Sequence, residues 1–287
     1  MPSLIDLRRR IRSVKNTQQI TKAMKVVSAA KLRRAQDRVL AARPYAQIIR
    51  RMLANVAQAA AEQNTGEEVA LLARRPENRI LLLVITADRG LAGAFNSNVI
   101  RLAQRFIAEH KDAEVKLELV GRKGRDFFKR RHANISGEYA TFFQKAPRYE
   151  DSLEIARKVT DLFRKAEIDS VYLVVNNFKS MMASQLVTTR LLPMEFPEKG
   201  EQIDYIYEQP PHQLLAALLP RYIESQVYRA MLESDAAQHA ARMTAMEAAS
   251  SNAADVISSL TLNMNRVRQA SITREIIEIV SGAAALD

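Results

Sequence analysis

The chain has no cysteine, and that single absence excludes disulfides, thiolate catalysis and cysteine-held metal. Its 8 glycines and 9 prolines are unevenly placed. Neither occurs between Pro2 and Pro44, the first glycine is Gly66, and the sixty-one residues from Arg221 to Ser281 lack both. Aromatic side chains are missing from the first 44 residues, Tyr45 being the first. No stretch of about 18 uncharged apolar residues is present, so no membrane-spanning helix is predicted. Residues 1–15 interleave Leu and Ile with Arg, unlike the apolar segment of a signal peptide. An Arg-rich amphipathic start also suits a mitochondrial transit segment, but its spacing continues into a long helix, so it reads as mature structure.

Stretches this long without glycine or proline predict helices. At about 1.5 Å per residue, Arg221–Ser281 alone would reach roughly 90 Å, several times an ordinary globular helix. Apolar or small residues recur at three- and four-residue steps through Tyr222, Ile223, Val227, Ala230, Met231, Ala237, Ala241, Ala245, Ala248 and Ala249. The pattern continues to Val256, Leu260, Val267 and Ile276. The alanine-rich middle suits close approach of a second helix. That partner is predicted at the other end of the chain. Leu4, Leu7, Ile11 and Val14 give 3-4-3 spacing, the polar run Asn16–Gln19 interrupts it, and Ile20, Met24, Val27 and Ala30 resume it. Pro44 is expected to kink or break this helix, with Tyr45, Ile48, Met52, Val56 and Ala59 carrying its apolar face onward.

Between the two helices the pattern changes. RILLLVIT, Arg79–Thr86, is a continuous apolar run of the kind found in a strand covered on both faces. A turn at Asp88–Gly93 and a helix at Phe95–Glu109 follow, then a strand at Val115–Val120, a turn at Gly121–Gly124 and a short helix at Arg125–Arg131. A helix over Glu150–Ala166, a buried strand at Ser170–Asn176, an edge strand at Leu186–Leu192 and a short strand at Ile203–Tyr207 complete the reading. The fold class is α/β: a long antiparallel coiled coil of the N- and C-terminal helices with an inserted Rossmann-like α/β domain. The expected divisions are 1–65, 66–211 and 212–287.

Charge is concentrated. Residues 1–51 hold fourteen Lys/Arg against Asp6 and Asp37, while the rest of the chain is nearly balanced, so the net +11 belongs to the first helix. Such a surface calls for an anionic partner, whether nucleic acid, membrane headgroups or an acidic protein face; the plain alternative is a solvated helix face.

The glycine-bearing turns suggest phosphate binding but have the wrong spacing. TADRGLAGAFN, Thr86–Asn96, is neither G-x-G-x-x-G nor a P-loop, and GRKG, Gly121–Gly124, reads as a solvated basic turn. His110, His132, His212 and His239 form no H-E-x-x-H or i, i+4 pair and are expected at the surface. No G-x-S-x-G elbow occurs, and pairs such as Glu275 and Glu278 lie on a long helix rather than in a cleft. No catalytic residue, metal or cofactor is indicated. From Ile279 to Leu286 there is no charge, which points to a helix tip buried against another protein.

RQASITREIIEIVSGAAA, Arg268–Ala285, carries Ile272-Thr273-x-Glu275-x-x-Glu278-x-x-x-Gly282-Ala283-x-Ala285. With SVKNTQQITKAMKVVSAAKLRRAQ (Ser13–Gln36), TADRGLAGAFN, GRKGRDFF (Gly121–Phe128) and YIESQVYRAMLES (Tyr222–Ser234), the chain resembles the γ subunits of rotary F-type ATP synthases from end to end. The resemblance implies a non-catalytic central shaft inside a ring of three α and three β subunits, with its globular part on ε and the membrane ring of c subunits. Rotation would link proton flow to ATP synthesis. It also implies a peripheral position on the cytoplasmic side of a bacterial inner membrane. By the same resemblance, Arg268 and Gln269 catch a β-subunit loop, and Lys22, Lys25, Lys31, Arg33 and Arg34 form a basic collar facing acidic β surfaces. Ile276, Ile279, Val280 and Leu286 form an apolar bearing tip, and Tyr205, Tyr207 and Glu208 a foot on ε and the c ring.

Two positions depart from the family pattern. Ala92 stands where many relatives have cysteine and Ala94 where they have glycine, and no cysteine-bearing insertion is present, so thiol control is excluded. Two rival classes remain open at this stage. A nucleic-acid-binding coiled coil would use the basic helix but lacks aromatics there for base stacking. A nucleotide-using α/β enzyme would need the phosphate loop that the glycine spacing does not supply.

Overall fold

The computed structural model describes residues 3–63, 70–178, 184–195, 205 and 207–284. In chain order the elements are α1 (Leu4–Gln63), β1 (Arg79–Ile85), α2 (Phe95–Glu109), β2 (Glu114–Val120) and α3 (Arg122–Lys129). After these come β3 (Ile135–Tyr139), α4 (Tyr149–Arg164), β4 (Ser170–Phe178), β5 (Ser184–Leu192) and α5 (Pro211–Ala284). They divide into two compact units, Met1–Ser28 with Arg242–Asp287, and Ala29–Ala241.

In the first unit, α1 and α5 run antiparallel. Gln18 and Thr21 meet Ser250, and Lys25 pairs with Glu247, so one number rises as the other falls. In this unit Leu4, Leu7, Ile11, Val14, Gln18, Thr21, Lys25 and Ser28 of α1 are buried or half-buried in alternating three- and four-residue steps, with Met24 half-buried beside them. On α5 the matching seam is Met246, Ser250, Ala253, Ile257, Leu260, Met264, Val267 and Ser271. This is the 3.5-residue repeat of a coiled coil. It follows the predicted apolar face through Leu4, Leu7, Ile11 and Val14 of α1 and Leu260 and Val267 of α5, and departs from it after Val14. Ile20 and Val27 are 60% and 55% exposed, and Val256 and Ala248 also face outward. The seam instead passes through the polar residues that looked like an interruption, because Thr21 and Ser250 satisfy each other's hydroxyls at 2.7 Å inside it.

In the second unit, α1 continues through Pro44 without a break, contrary to expectation. A proline inside a helix costs about 3 kcal/mol. Pro44 is exposed, while Val39, Ile49 and Leu53 on the opposite face are buried, each contributing about 1.5–3 kcal/mol; packing outweighs the lost hydrogen bond. The buried face there is Ala46, Ile49, Leu53 and Val56, whereas Tyr45, Ile48 and Met52 are exposed. α5 begins at Pro211, one residue before the expected division at 212 and ten before the glycine- and proline-free run, in the first helical position where a missing N–H is harmless, and Pro220 lies within it.

The sheet has the order β3-β2-β1-β4-β5. β3, β2, β1 and β4 are mutually parallel, and β5 pairs antiparallel with β4 along the edge. Residues 80–85 of β1 are fully buried, which is why RILLLVIT shows no alternation. Ile80, Leu82 and Val84 pack with Val99, Ala103 and Phe106 of α2 and Phe128 of α3. Leu81, Leu83 and Ile85 pack with α4 and with Leu53 of α1 and Ile223 and Val227 of α5. β3 was not predicted, and α3 starts three residues before the predicted Arg125. The short strand expected at Ile203–Tyr207 falls mostly outside the described residues; Tyr205 and Tyr207 are not in a strand.

Candidate functional site

In a sheet of this order the chain reverses direction between β1 and β4, and ligands of such folds sit beyond the C-terminal ends of those strands. Here that region is occupied by the chain's own groups. Thr86 follows β1; its Oγ1 accepts a hydrogen bond from the Gly124 N–H at 2.8 Å and donates to the Val120 carbonyl at 3.1 Å. Asp88 accepts from the Arg122 N–H at 2.8 Å through Oδ1 and from the Phe143 N–H at 2.9 Å through Oδ2. The negative charge at the start of α3 is therefore Asp88 itself, in the place a phosphate would take. Burial raises the Asp88 pKa, outweighing the two N–H bonds that favour its ionised form. Gly121, at φ +93°, approaches so closely that an added Cβ would overlap the Thr86 carbonyl oxygen. The two glycine turns clamp each other.

A second polar cluster ties β3 to the sheet. Glu118 is fully buried, and the Lys158 ammonium donates to it at 2.9 Å and to the Ser136 carbonyl at 2.8 Å. Tyr139 lies against the same carboxylate, and its pKa is raised, chiefly by burial. These groups bond one another. Among the described residues no group of three or more His, Asp or Glu is arranged to hold a metal. His239 departs from the surface expectation, being buried on α5 with its Nε2 3.4 Å from Asp235 Oδ1.

The residues singled out by resemblance fall on the helices and their approaches. Lys22, Lys31, Arg33 and Arg34 are exposed on α1, while Lys25 is half-buried in its ion pair with Glu247. Arg268 and Gln269 are exposed on α5, three and two residues before its seam ends at Ser271. Every described residue from Ile272 to Ser281 is exposed, including Ile276 at 55%, Ile279 at 72% and Val280 at 61%. Leu286 lies outside the described residues. Tyr205 and Tyr207 come together, ring centres 6.3 Å apart, with Tyr207 packed on the sheet's core and Glu208 exposed. Sequence reasoning assigned no role to Asp88, Glu118 or Lys158; Asp88 directly after a strand and before a glycine turn was the one available signal.

A parallel sheet wound in this order, together with two helices of 60 and 74 residues drawn from the chain ends, is the fold of ATP synthase central-stalk chains. A chain of the Euglena gracilis mitochondrial ATP synthase superposes with a TM-score of 0.68 at 19% identity, covering 99% of this chain and 94% of that one. A chain from the central stalk and c-ring of the Tetrahymena thermophila mitochondrial enzyme gives 0.61 at 26% identity, covering 80% and 99%. The family model described as ATP synthase matches residues 3–286. The ATP synthase gamma chain of Solibacter usitatus is 61% identical over the whole of both chains, and that of Pelotomaculum thermopropionicum 51%. The chain belongs to the ATP synthase gamma chain family.

Proposed function

We propose that this chain is the rotating shaft of a bacterial F-type ATP synthase and contributes no catalytic group of its own. The observation that carries this reading is the end of α5, where a helix whose seam has stopped continues with five large apolar side chains in the open. An isolated helix end in water favours polar residues, so these call for a surrounding protein sleeve. The reading assigns Ile276, Ile279, Val280 and Leu286 to that sleeve. Arg268 and Gln269 are assigned to a β-subunit loop, the collar Lys22, Lys25, Lys31, Arg33 and Arg34 to acidic β surfaces, and Tyr205, Tyr207 and Glu208 to ε and the c ring. Residues 66–211 form the part that rides on the membrane sector, and 1–65 with 212–287 the part that turns in the ring. The Tetrahymena relative is described with a c-ring. Among the described residues no helix is long and apolar enough to cross a membrane, so attachment through the c ring at the cytoplasmic face of the inner membrane is the proposed location.

Coupling needs no reactive side chain here. A rod that contacts three catalytic sites unequally biases the conformational populations of each, and by reciprocity the sites drive the rod. The test is to express the tagged chain with its native neighbours. Recovery of α, β and ε at one copy of this chain per three β, with ATP-driven rotation of a probe fixed to the α/β sheet, is expected. Recovery alone, bound to nucleic acid, would overturn the proposal.

A further inference from the structure

A cleft of about 90 Å³ opens between the β4–β5 face and α5, and the shaft reading gives it no role. Its apolar floor includes Leu173, Val175 and Leu191. Its polar lining is unusual in being unspent. Among the described residues, the side chains of Asn177, Tyr222 and Gln226 make no hydrogen bond, and Arg229 Nε is buried without one. Glu233 is 7% exposed and stands 3.6 Å from Arg229 Nε, an ion pair outside hydrogen-bond length. Burial raises the Glu233 pKa against the opposing pull of Arg229 and Arg43. The rim contrasts with this interior, since Arg190 is fully engaged with Tyr172, Glu77 and Glu195.

Converging polar groups with unfilled hydrogen-bonding capacity above an apolar floor are the signature of a ligand site. The charges restrict what enters. A carboxylate would meet Glu233, and an ammonium would meet Arg229. A group carrying an acceptor and a donor on one carbon satisfies both, its C=O accepting from Arg229 and its N–H donating to Glu233. We propose that this cleft binds a neutral carboxamide on a small apolar body, either a free molecule or the amide side chain of a neighbouring protein.

The test uses the full-length chain with ¹³C-methyl methionine. Met194 lines the cleft, and its signal is identified with Met194→Leu. Benzamide, benzoate and benzylammonium share a ring and differ in headgroup. Benzamide is expected to shift Met194 at least about tenfold more readily than either ion. In Glu233→Gln the uncompensated Arg229 should move the preference to benzoate by a similar factor. Should that variant not fold, Arg229→Gln gives the mirror result with benzylammonium. Equal responses to all three probes, or none, overturn the proposal and leave a solvated groove. Repeating the benzamide titration in the assembled complex separates the two sources. A Met194 signal that still responds indicates a free ligand, and one already displaced and unresponsive indicates a partner's amide.

Discussion

Asp88 is expected to hold the top of the sheet together, and removing it should show how much. Its carboxylate is 8% exposed and receives two backbone N–H groups, from Arg122 and Phe143. Stranding a buried donor costs about 1–3 kcal/mol, so Asp88→Ala should destabilise the sheet unit by about 2–6 kcal/mol. The lower half of that range is expected, because removal also relieves the burial that raises the carboxyl pKa. Asp88→Asn keeps one acceptor and should cost about half as much. Urea denaturation measures the total, and amide exchange at Arg122 and Phe143 localises it. The pH dependence has a definite sign. With a raised native pKa, the folded chain binds more protons than the unfolded chain just above the ordinary Asp value, so Asp88's contribution is full below that value and is lost as pH rises through the native one. The deficit of Asp88→Asn should therefore shrink as pH rises. A deficit that grows would mean that the two N–H bonds outweigh burial, whereas an Asp88→Ala cost below about 1 kcal/mol with unchanged exchange at both amides would refute the clamp.

Gly121→Ala forces a Cβ onto the Thr86 carbonyl at φ +93° and should cost at least about 3 kcal/mol, a fall of about 6 °C or more in Tm; an unchanged Tm would mean the Thr86 backbone moves aside. Lys158→Met leaves the fully buried Glu118 unpaired and should cost about 3–5 kcal/mol. Adding Glu118→Gln should recover at least about 1 kcal/mol in a double-mutant cycle, and simple additivity would show that the two residues do not cooperate. Ile279→Ser, at a position 72% exposed, should leave the isolated chain within about 0.5 kcal/mol of wild type but reduce its incorporation into assembled ATP synthase. Normal incorporation would remove the tip from the contact surface.

How legible each element was depended on whether its partners lay within reach of a local pattern. α2 was read residue for residue because one amphipathic face packs on one sheet face. β1 was read because burial on both sides leaves only apolar residues. β3 was missed because an edge strand with Gly137 and Glu138 shows no apolar run. The coiled-coil seam was placed correctly from Leu4 to Val14 and at Leu260 and Val267, and on the wrong residues beyond Val14. There Gln18, Thr21, Lys25 and Ser28 occupy it and the apolar Ile20, Val26 and Val27 face out, so in that stretch counting apolar residues tracked the outer surface. Asp88 was visible, but its bonding partners lie 34 and 55 positions away. The proposed contact residues were readable only through the family signature, since what they touch lies on other chains.

The end of the α5 seam sets a mechanical limit. α1 starts at Leu4, and its antiparallel match with α5 brings that start opposite about residue 266. Past Ser271 a single helix continues for thirteen residues to Ala284, about 20 Å. Its outermost atoms lie only about 5–6 Å from its axis, while two helices packed about 8–10 Å apart offer a longer lever arm. Force applied sideways to the lone segment generates little turning moment and meets less bending stiffness. In the proposed shaft the final turns therefore act as a pivot pin that centres the rod, and the crank begins where the second strand joins it, next to Arg268 and Gln269.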